Sequence, residues 1–254
     1  MQEYFEHLNR YYNKIYVLSV ESAVNRRTLF AERFKGLDYS FFFGADKNNF
    51  TIPEVEEKQV FSEKLTRKHH RFSMTMKPGE IACSWSHKMI YEDMLNHSYE
   101  RILVFEDDAV PDRVQLRNVP AILGEIPGDC ELLMWGWEKN GTKNLGTGIK
   151  QIIYHIQHSL GTLKWDHQII RNLYARNFTP HLKKAGFHDY AVAYGLNRSC
   201  AKKFLALQTP LQYIADNLLA HAATKGIVNG YITWPQVFLH DNLPDGTHRD
   251  SYIR

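Results

Sequence analysis

The sequence predicts an α/β protein in which a mostly parallel central sheet is flanked by helices. Three observations carry this. Short β-branched and aromatic runs alternate with helix-compatible stretches. A chain of 254 residues suffices for one nucleotide-binding domain with an inserted or appended region, but not for two full-sized domains. A composition 44% hydrophobic and 23% charged supports a buried core.

Lys14 to Val20 (KIYVLSV) reads as the opening strand, and Glu21-Ser22-Ala23 leads from it into a helix over Asn25 to Lys35. Tyr39 to Phe43 is a second strand, stopped by Gly44-Ala45-Asp46. In an open sheet of this order, ligands sit at the carboxyl ends of the strands. From Asn48 to Lys77 the chain is polar, with Lys64, Arg67, Lys68, His69, His70 and Arg71 in quick succession. A short helix followed by a mobile arm is expected there, solvated for the most part, with phosphate or anionic-lipid contact as the functional alternative.

Pro78-Gly79-Glu80 opens a helix that runs to about Asn96: proline suits the first turn, Glu80 complements the dipole, and Ala82, Trp85 and Met89 form the expected core face. Arg101 to Phe105 (RILVF) is an apolar strand that runs straight into Glu106-Asp107-Asp108. Glu131 to Trp137 is another strand, whereas residues 141–186 spread basic and aromatic side chains over weak helical segments and specify no clear element. Tyr190 to Leu196 reads as a strand, Ser199 to Leu207 and Ile214 to Thr224 as helices, and Ile227 to Trp234 as a strand ended by Pro235.

The formal charge of +3 and pI near 8.6 fall short of a nucleic-acid-binding domain but suit a phosphate-bearing ligand or an anionic membrane surface. Cys83, Cys130 and Cys200 are too few and too scattered for a disulfide framework or a zinc ribbon, which fits a reducing compartment. Met1 to Arg10 lacks the cationic-then-apolar pattern of a secretion signal, and no apolar run approaches the roughly 18 residues of a membrane span. A cytoplasmic protein, or one peripheral to a membrane, is expected.

The acidic triplet is the most informative motif. Alternating positions send Glu106 and Asp108 to one side and Asp107 to another, so two hard carboxylates can meet a divalent cation. Mg²⁺ or Mn²⁺ held this way keeps coordination positions open for the oxygens of a diphosphate. The competing reading is a solvated turn or a cap for the segment after Pro111. Gly141-Thr-Lys-Asn-Leu-Gly146-Thr-Gly lacks the Gly-Lys-Ser/Thr ending of a P-loop, and no Gly-x-Gly-x-x-Gly follows the first strand, which excludes kinase and dehydrogenase readings.

KIYVLSVESAVNRR, PGEIACSWSHKMIYEDML, RILVFEDDAV and AYGLNRSCAKKFL, followed by Asp216 and Trp234-Pro235, together resemble glycosyltransferase family 25. That family includes bacterial lipopolysaccharide and lipooligosaccharide galactosyltransferases. The matching blocks run from Ile15 to His240 and are densest between Gly79 and Val110; residues 141–186 are not anchored and form an uncertain acceptor-side segment. The resemblance implies a GT-A fold over the whole chain, 1–254, and a UDP-sugar donor, most often UDP-galactose.

By this likeness the triplet is an Asp-x-Asp-like element in which Glu106 replaces the first acid. Asp108 is then the direct metal ligand, and Glu106 serves the metal, the ribose or a metal-bound water. Leu18, Ser19 and Val20 lie beside the nucleotide, Arg26 or Arg27 pairs with phosphate, and Glu80, Ser84, Ser86, His87 and Asp107 make donor-side contacts. His240 is expected to complete a Mn²⁺ (or Mg²⁺) site, since borderline metals accept nitrogen. Asp216, at a helix start, is the candidate base for the acceptor hydroxyl, with helix capping as the alternative.

The function expected is transfer of a hexose, by the family likeness galactose from UDP-galactose, to a sugar of a lipopolysaccharide or lipooligosaccharide, inverting and β-1,4-galactosyltransferase-like, at the cytoplasmic side of the inner membrane. Two rivals are weaker. A magnesium-dependent phosphatase needs an aspartyl nucleophile with a second Asp two residues on, and Asp107 is followed there by Ala109. A noncatalytic module would hold anionic lipid or polysaccharide through Lys64 to Arg71 and the later basic segment.

Overall fold

The computed structural model describes residues 2–241. In chain order the elements are α1 (Gln2–Tyr11), β1 (Lys14–Ser19), α2 (Val24–Arg33), β2 (Ser40–Phe43), α3 (Ile52–Glu57), α4 (Glu63–His69), α5 (Pro78–Asn96), β3 (Arg101–Glu106) and β4 (Ala109–Pro111). There follow α6 (Val119–Glu125), β5 (Leu132–Glu138), α7 (Leu145–Ser159), α8 (His167–Arg171), β6 (Arg176–Asn177), β7 (Leu182–Lys184), β8 (Asp189–Asn197), α9 (Arg198–Leu207), α10 (Ala215–Thr224), β9 (Gly230–Thr233) and β10 (Phe238–His240).

The main sheet has the order β2-β1-β3-β8-β5-β9-β7-β6, and β10 pairs with β4 in a separate ribbon. β1 is parallel to β2 and β3, and β5 to β9, as expected. β8, however, is antiparallel to both β3 and β5, and β7 is antiparallel to β9 and β6, so the sheet is mixed. The connection explains the reversal at β8. The chain leaves β5 at its carboxyl end, makes the excursion 139–188, and re-enters beside the same strand with Glu138 opposite Asp189. Neighbours joined at one end of a sheet must run antiparallel. The excursion therefore sits at the carboxyl ends of the strands, where ligands bind.

Both faces of the sheet are covered, which is why its central strands read as continuous apolar runs. Along β3, Ile102 and Val104 join a core with Tyr91, Tyr194 and Phe204 on one face, while Leu103 and Phe105 join Phe5, Phe30, Phe34 and Trp135 on the other. On α5 the buried apolar residues are Ile81, Ala82, Ile90, Tyr91 and Met94, whereas Trp85 and Met89 are only half-buried. The expected Ala82, Trp85, Met89 face is too narrow because α5 packs against α9, α10 and the small cluster of Val55, Phe61, Met76 and Leu211. That cluster also corrects the mobile arm expected after residue 48: apolar anchors fold the stretch into α3 and α4.

Gly195 on β8 is required by a close approach. A Cβ there would stand 2.2 Å from Tyr12 Oη, the buried acceptor of the Trp135 Nε1–H bond at 2.8 Å. Gly195→Ala is expected to destabilise the protein by about 1–3 kcal/mol through overpacking, read as a lower urea midpoint at unchanged m-value. Among the described residues, no helix is long and apolar enough to cross a membrane.

Candidate active site

A cleft of about 540 Å³ opens at the carboxyl ends of β1 and β3, within the range of ligand pockets. Leu18, Ser19, Val20, Arg26, Glu80, Ser86, Glu106, Asp107, Asp108, Asp216 and His240 all line it. The acidic triplet is not one straight strand: β3 ends at Glu106, Asp107 and Asp108 form a turn, and β4 begins at Ala109. β4 pairs with β10 in the register Ala109 to His240, and the Asp241 N–H donates to the Asp108 carbonyl at 3.0 Å. This ribbon brings a histidine from the far end of the described chain against the triplet.

His240 Nε2 lies 3.2 Å from Asp108 Oδ2, and one donor atom from each of Glu106, Asp108 and His240 falls within 4.8 Å of the others. Arg26 binds Asp107 Oδ1 at 2.6 Å and also pairs with Asp108 Oδ2. Asp108 Oδ1 is buried and has no hydrogen-bond partner among the described residues. An orphaned carboxylate oxygen is costly unless something meets it. Two carboxylates and an imidazole grouped this closely are a donor set that fits Mn²⁺ or Mg²⁺.

Electrostatics divide the acids. Burial raises the Asp108 carboxyl, but the His240 contact and the Arg26 charge outweigh burial and hold it below the usual range. Asp107 is pushed up to about 6, chiefly by burial, against the pull of Arg26 and the Ser19 hydroxyl, which donates to Asp107 Oδ2 at 2.5 Å. Asp107 thus anchors β1, α2 and β3 to one another. Asp216, in the first turn of α10, accepts from the Tyr190 N–H at 3.0 Å and the Asn217 N–H at 2.6 Å. Burial pushes it up to about 6, helped by the charges of Asp189 and Glu106. Ile214, not Asp216, holds the N-cap position.

A second group, Cys83, His87 and Glu106, has the same spacing of donor atoms. It fits a cation less well, because burial and the charge of Glu106 hold the Cys83 thiol far up in its protonated form. His87 is buried, with Nδ1 2.6 Å from Tyr194 Oη and Nε2 3.8 Å from Glu106 Oε1. It stands behind Glu106 and does not line the cleft.

Three more expectations need correcting. Ser84 is buried, bonded to the Glu80 carbonyl at 2.7 Å, and turned away from the cleft. Arg27 donates to the Val20 and Glu21 carbonyls and stacks over Phe43, so it ties down the β1–α2 turn outside the cleft. Arg26 does line the cleft, but two carboxylates claim its guanidinium where a phosphate contact was expected. Glu80 spends one oxygen on the Lys77 N–H at 2.7 Å, and the Ser86 hydroxyl accepts the Ala45 N–H at 2.9 Å.

Of the opposite wall, Tyr213, His221, Trp165 and Phe187 escaped the sequence reading. Tyr213 Oη lies 3.2 Å from His69 Nδ1 and 3.3 Å from His221 Nε2, and burial with the nearby His69 pushes His221 down to about 4. Trp165 of the ambiguous segment and Phe187 just beyond it, with ring centroids 4.5 Å apart, add an aromatic surface, and Arg71 lies 5.6 Å over the Trp165 ring. An aromatic content of 13% was the signal available in the sequence, but it carried no positions. Of the basic run, His69, His70 and Arg71 reach the cleft, while Arg67 is held by Glu63 and the Ser73 carbonyl.

A family model described as "Glycosyltransferase family 25 (LPS biosynthesis protein)" matches residues 12–219. The chain belongs to glycosyltransferase family 25. Similar proteins include a "Glycosyltransferase 25 family member" of Aedes aegypti, 31% identical over 127 residues (48% of this chain, 21% of that one). Another of the same name in Anopheles gambiae is 33% identical over the same shares. The Bos taurus protein named "Probable inactive glycosyltransferase 25 family member 3" is 24% identical over 53% of this chain and 18% of its own. The chain thus spans about a fifth of the length of these relatives. Because one family 25 relative carries a name denoting inactivity, membership alone does not decide catalysis, and the side chains must. His240 lies beyond the matched residues and enters the site through the β4–β10 ribbon.

Proposed function

We propose that this family 25 protein is a metal-dependent glycosyltransferase with one GT-A-type domain over residues 1–254. In this reading it moves galactose from UDP-galactose, with inversion and in β-1,4 linkage, onto a sugar of a lipopolysaccharide or lipooligosaccharide at the cytoplasmic face of the inner membrane. The observation that carries the reading is the grouping of one donor atom each from Glu106, Asp108 and His240 within 4.8 Å of one another, with Asp108 Oδ1 left unpartnered among the described residues, in the same cleft as Asp216.

Glu106, Asp108 and His240 would hold Mn²⁺ or Mg²⁺, which when bound neutralises charge on the departing diphosphate. The protein's own groups do the rest. Ser19 and Val20 at the end of β1 face the nucleotide. Arg26, fixed by Asp107 and Asp108, keeps the triplet from repelling itself apart. Asp216 takes the proton as the acceptor oxygen bonds to the anomeric carbon, and the electron pair of the breaking glycosyl bond leaves with the diphosphate. One in-line displacement inverts that carbon. Trp165 and Phe187 offer apolar faces to the sugar rings of the acceptor, with residues 141–186 as the acceptor side.

The test is a matrix of UDP-sugars against Mn²⁺, Mg²⁺ and chelator, read by UDP release. Release is expected with UDP-galactose and metal, and loss of release on chelation. No transfer and no slow donor hydrolysis with any donor would overturn the reading.

A further inference from the structure

Helix α7 is built inside out. A surface helix normally turns its apolar stripe to the core and its polar face to water. On α7 the polar side faces the body: Gln151 is buried and donates to the Ile170 carbonyl at 2.7 Å, Tyr154 packs on Trp165, and His158 reaches the Leu163 carbonyl. The aliphatic side faces out. Leu145, Ile149, Ile152, Ile153, Ile156 and Leu160 recur at spacings of three and four, which places them on one arc of about 100° at 100° per residue. They are exposed, 91% at Leu145, 61% at Ile149 and Ile152, and 72% at Leu160. No packing demand within the described residues accounts for a ridge of branched aliphatic side chains in water.

Charge decides among the surfaces that could cover it. Between residues 141 and 186 there are five lysines and two arginines, and Asp166 is the lone acid. Lys225 neutralises that acid by ion pairing. Lys143, Lys150, Lys164 and Arg171 are exposed around the helix and its packing partner α8. An aliphatic ridge flanked by unopposed cations is the pattern of a helix lying in a membrane interface, its apolar face among acyl chains and its cations at anionic headgroups. A second copy of this chain would set like charges against each other.

We infer that α7 docks the protein on an anionic phospholipid surface, lying flat with its aliphatic ridge in the bilayer interface. Leu160, the last residue of the ridge, is followed closely by Lys164, whose N–H donates to the Arg71 carbonyl at 2.9 Å, and Arg71 and Trp165 line the cleft. The docked face thus adjoins one wall of the cleft. Docking itself needs no transferase activity. Only the corollary that a lipid-borne acceptor enters from this side rests on the proposed function.

Flotation of the purified protein with vesicles free of any glycolipid separates the two. Wild type should float with phosphatidylcholine vesicles containing phosphatidylglycerol, less with phosphatidylcholine alone, and less again at high salt. The double variant Ile152→Asp/Ile156→Asp should partition at least about tenfold less while remaining folded with a cooperative melt, because both side chains are more than half exposed. Ile149→Trp should show blue-shifted emission and protection from acrylamide when anionic vesicles are added. The inference is overturned if wild type remains unbound, if the double Asp variant floats equally well, or if that variant converts a wild-type dimer to monomer.

Discussion

Asp108→Ala is expected to abolish the enhancement of UDP binding by Mn²⁺ and to lower the transfer rate by roughly 10²–10³-fold, the scale for losing one preorganised electrostatic contact to a transition state. The size follows from how Asp108 is held. One of its oxygens is held by Arg26 and His240, and the other is buried with no hydrogen-bond partner among the described residues. Alanine removes both, although Arg26 keeps Asp107, so the turn should survive. Asp108→Asn retains an acceptor for Arg26 but loses the charge that attracts a cation, and should fail in the same way. The measurement is UDP affinity by calorimetry with Mn²⁺ and with chelator, beside thermal melting to verify folding. A variant in which Mn²⁺ still strengthens UDP binding would remove Asp108 from the proposed site.

How much of this was legible in the sequence depends on the range of the interactions. β3 and its acidic end could be read, because an apolar run buried on both faces and the acids that stop it are consecutive residues. The alternation expected of Glu106 and Asp108 along one strand did not hold, because Asp107 and Asp108 form a turn between β3 and β4. His240 could be nominated but not placed: its partner is a three-residue strand, and only the pairing of β10 with β4 fixes its register. Ser84 and Ser86 show the limit on a helix. Two positions apart, they differ by about 200° of rotation, and only packing decides which meets the cleft. Residues 141–186 resisted because their small core of Leu163, Trp165 and Ile170 is completed by Phe187 and by Ala220 on α10, while the clearest apolar periodicity, on α7, faces outward. Periodicity predicts that a helix exists; it does not predict which side of it meets the protein.

Asp216→Asn should lower kcat by about 10²–10⁴-fold with little change in the donor KM, the range for removing a general base. An unperturbed aspartate is too weak a base near neutrality. Burial here pushes Asp216 up to about 6, where it is still ionised at neutral pH and holds a proton more strongly. In wild type the rate should therefore fall as pH drops through about 6, and the asparagine variant should lose that acid limb. Asp107 is pushed to a similar value, so Asp107→Asn serves as the control: it should keep the limb if Asp216 is the base. The same shift costs stability. With a folded value near 6 against about 4 unfolded, the native state binds more protons across that window, so stability falls as pH rises through it, by on the order of 3 kcal/mol once both states are ionised. Asp216→Asn removes this penalty. Its melting temperature relative to wild type should be more favourable at pH 8 than at pH 4, so the variant that loses the rate should be relatively more stable where the wild type works. A difference independent of pH, together with an unchanged acid limb, would mean that the carboxylate at position 216 is structural and that the base is another residue.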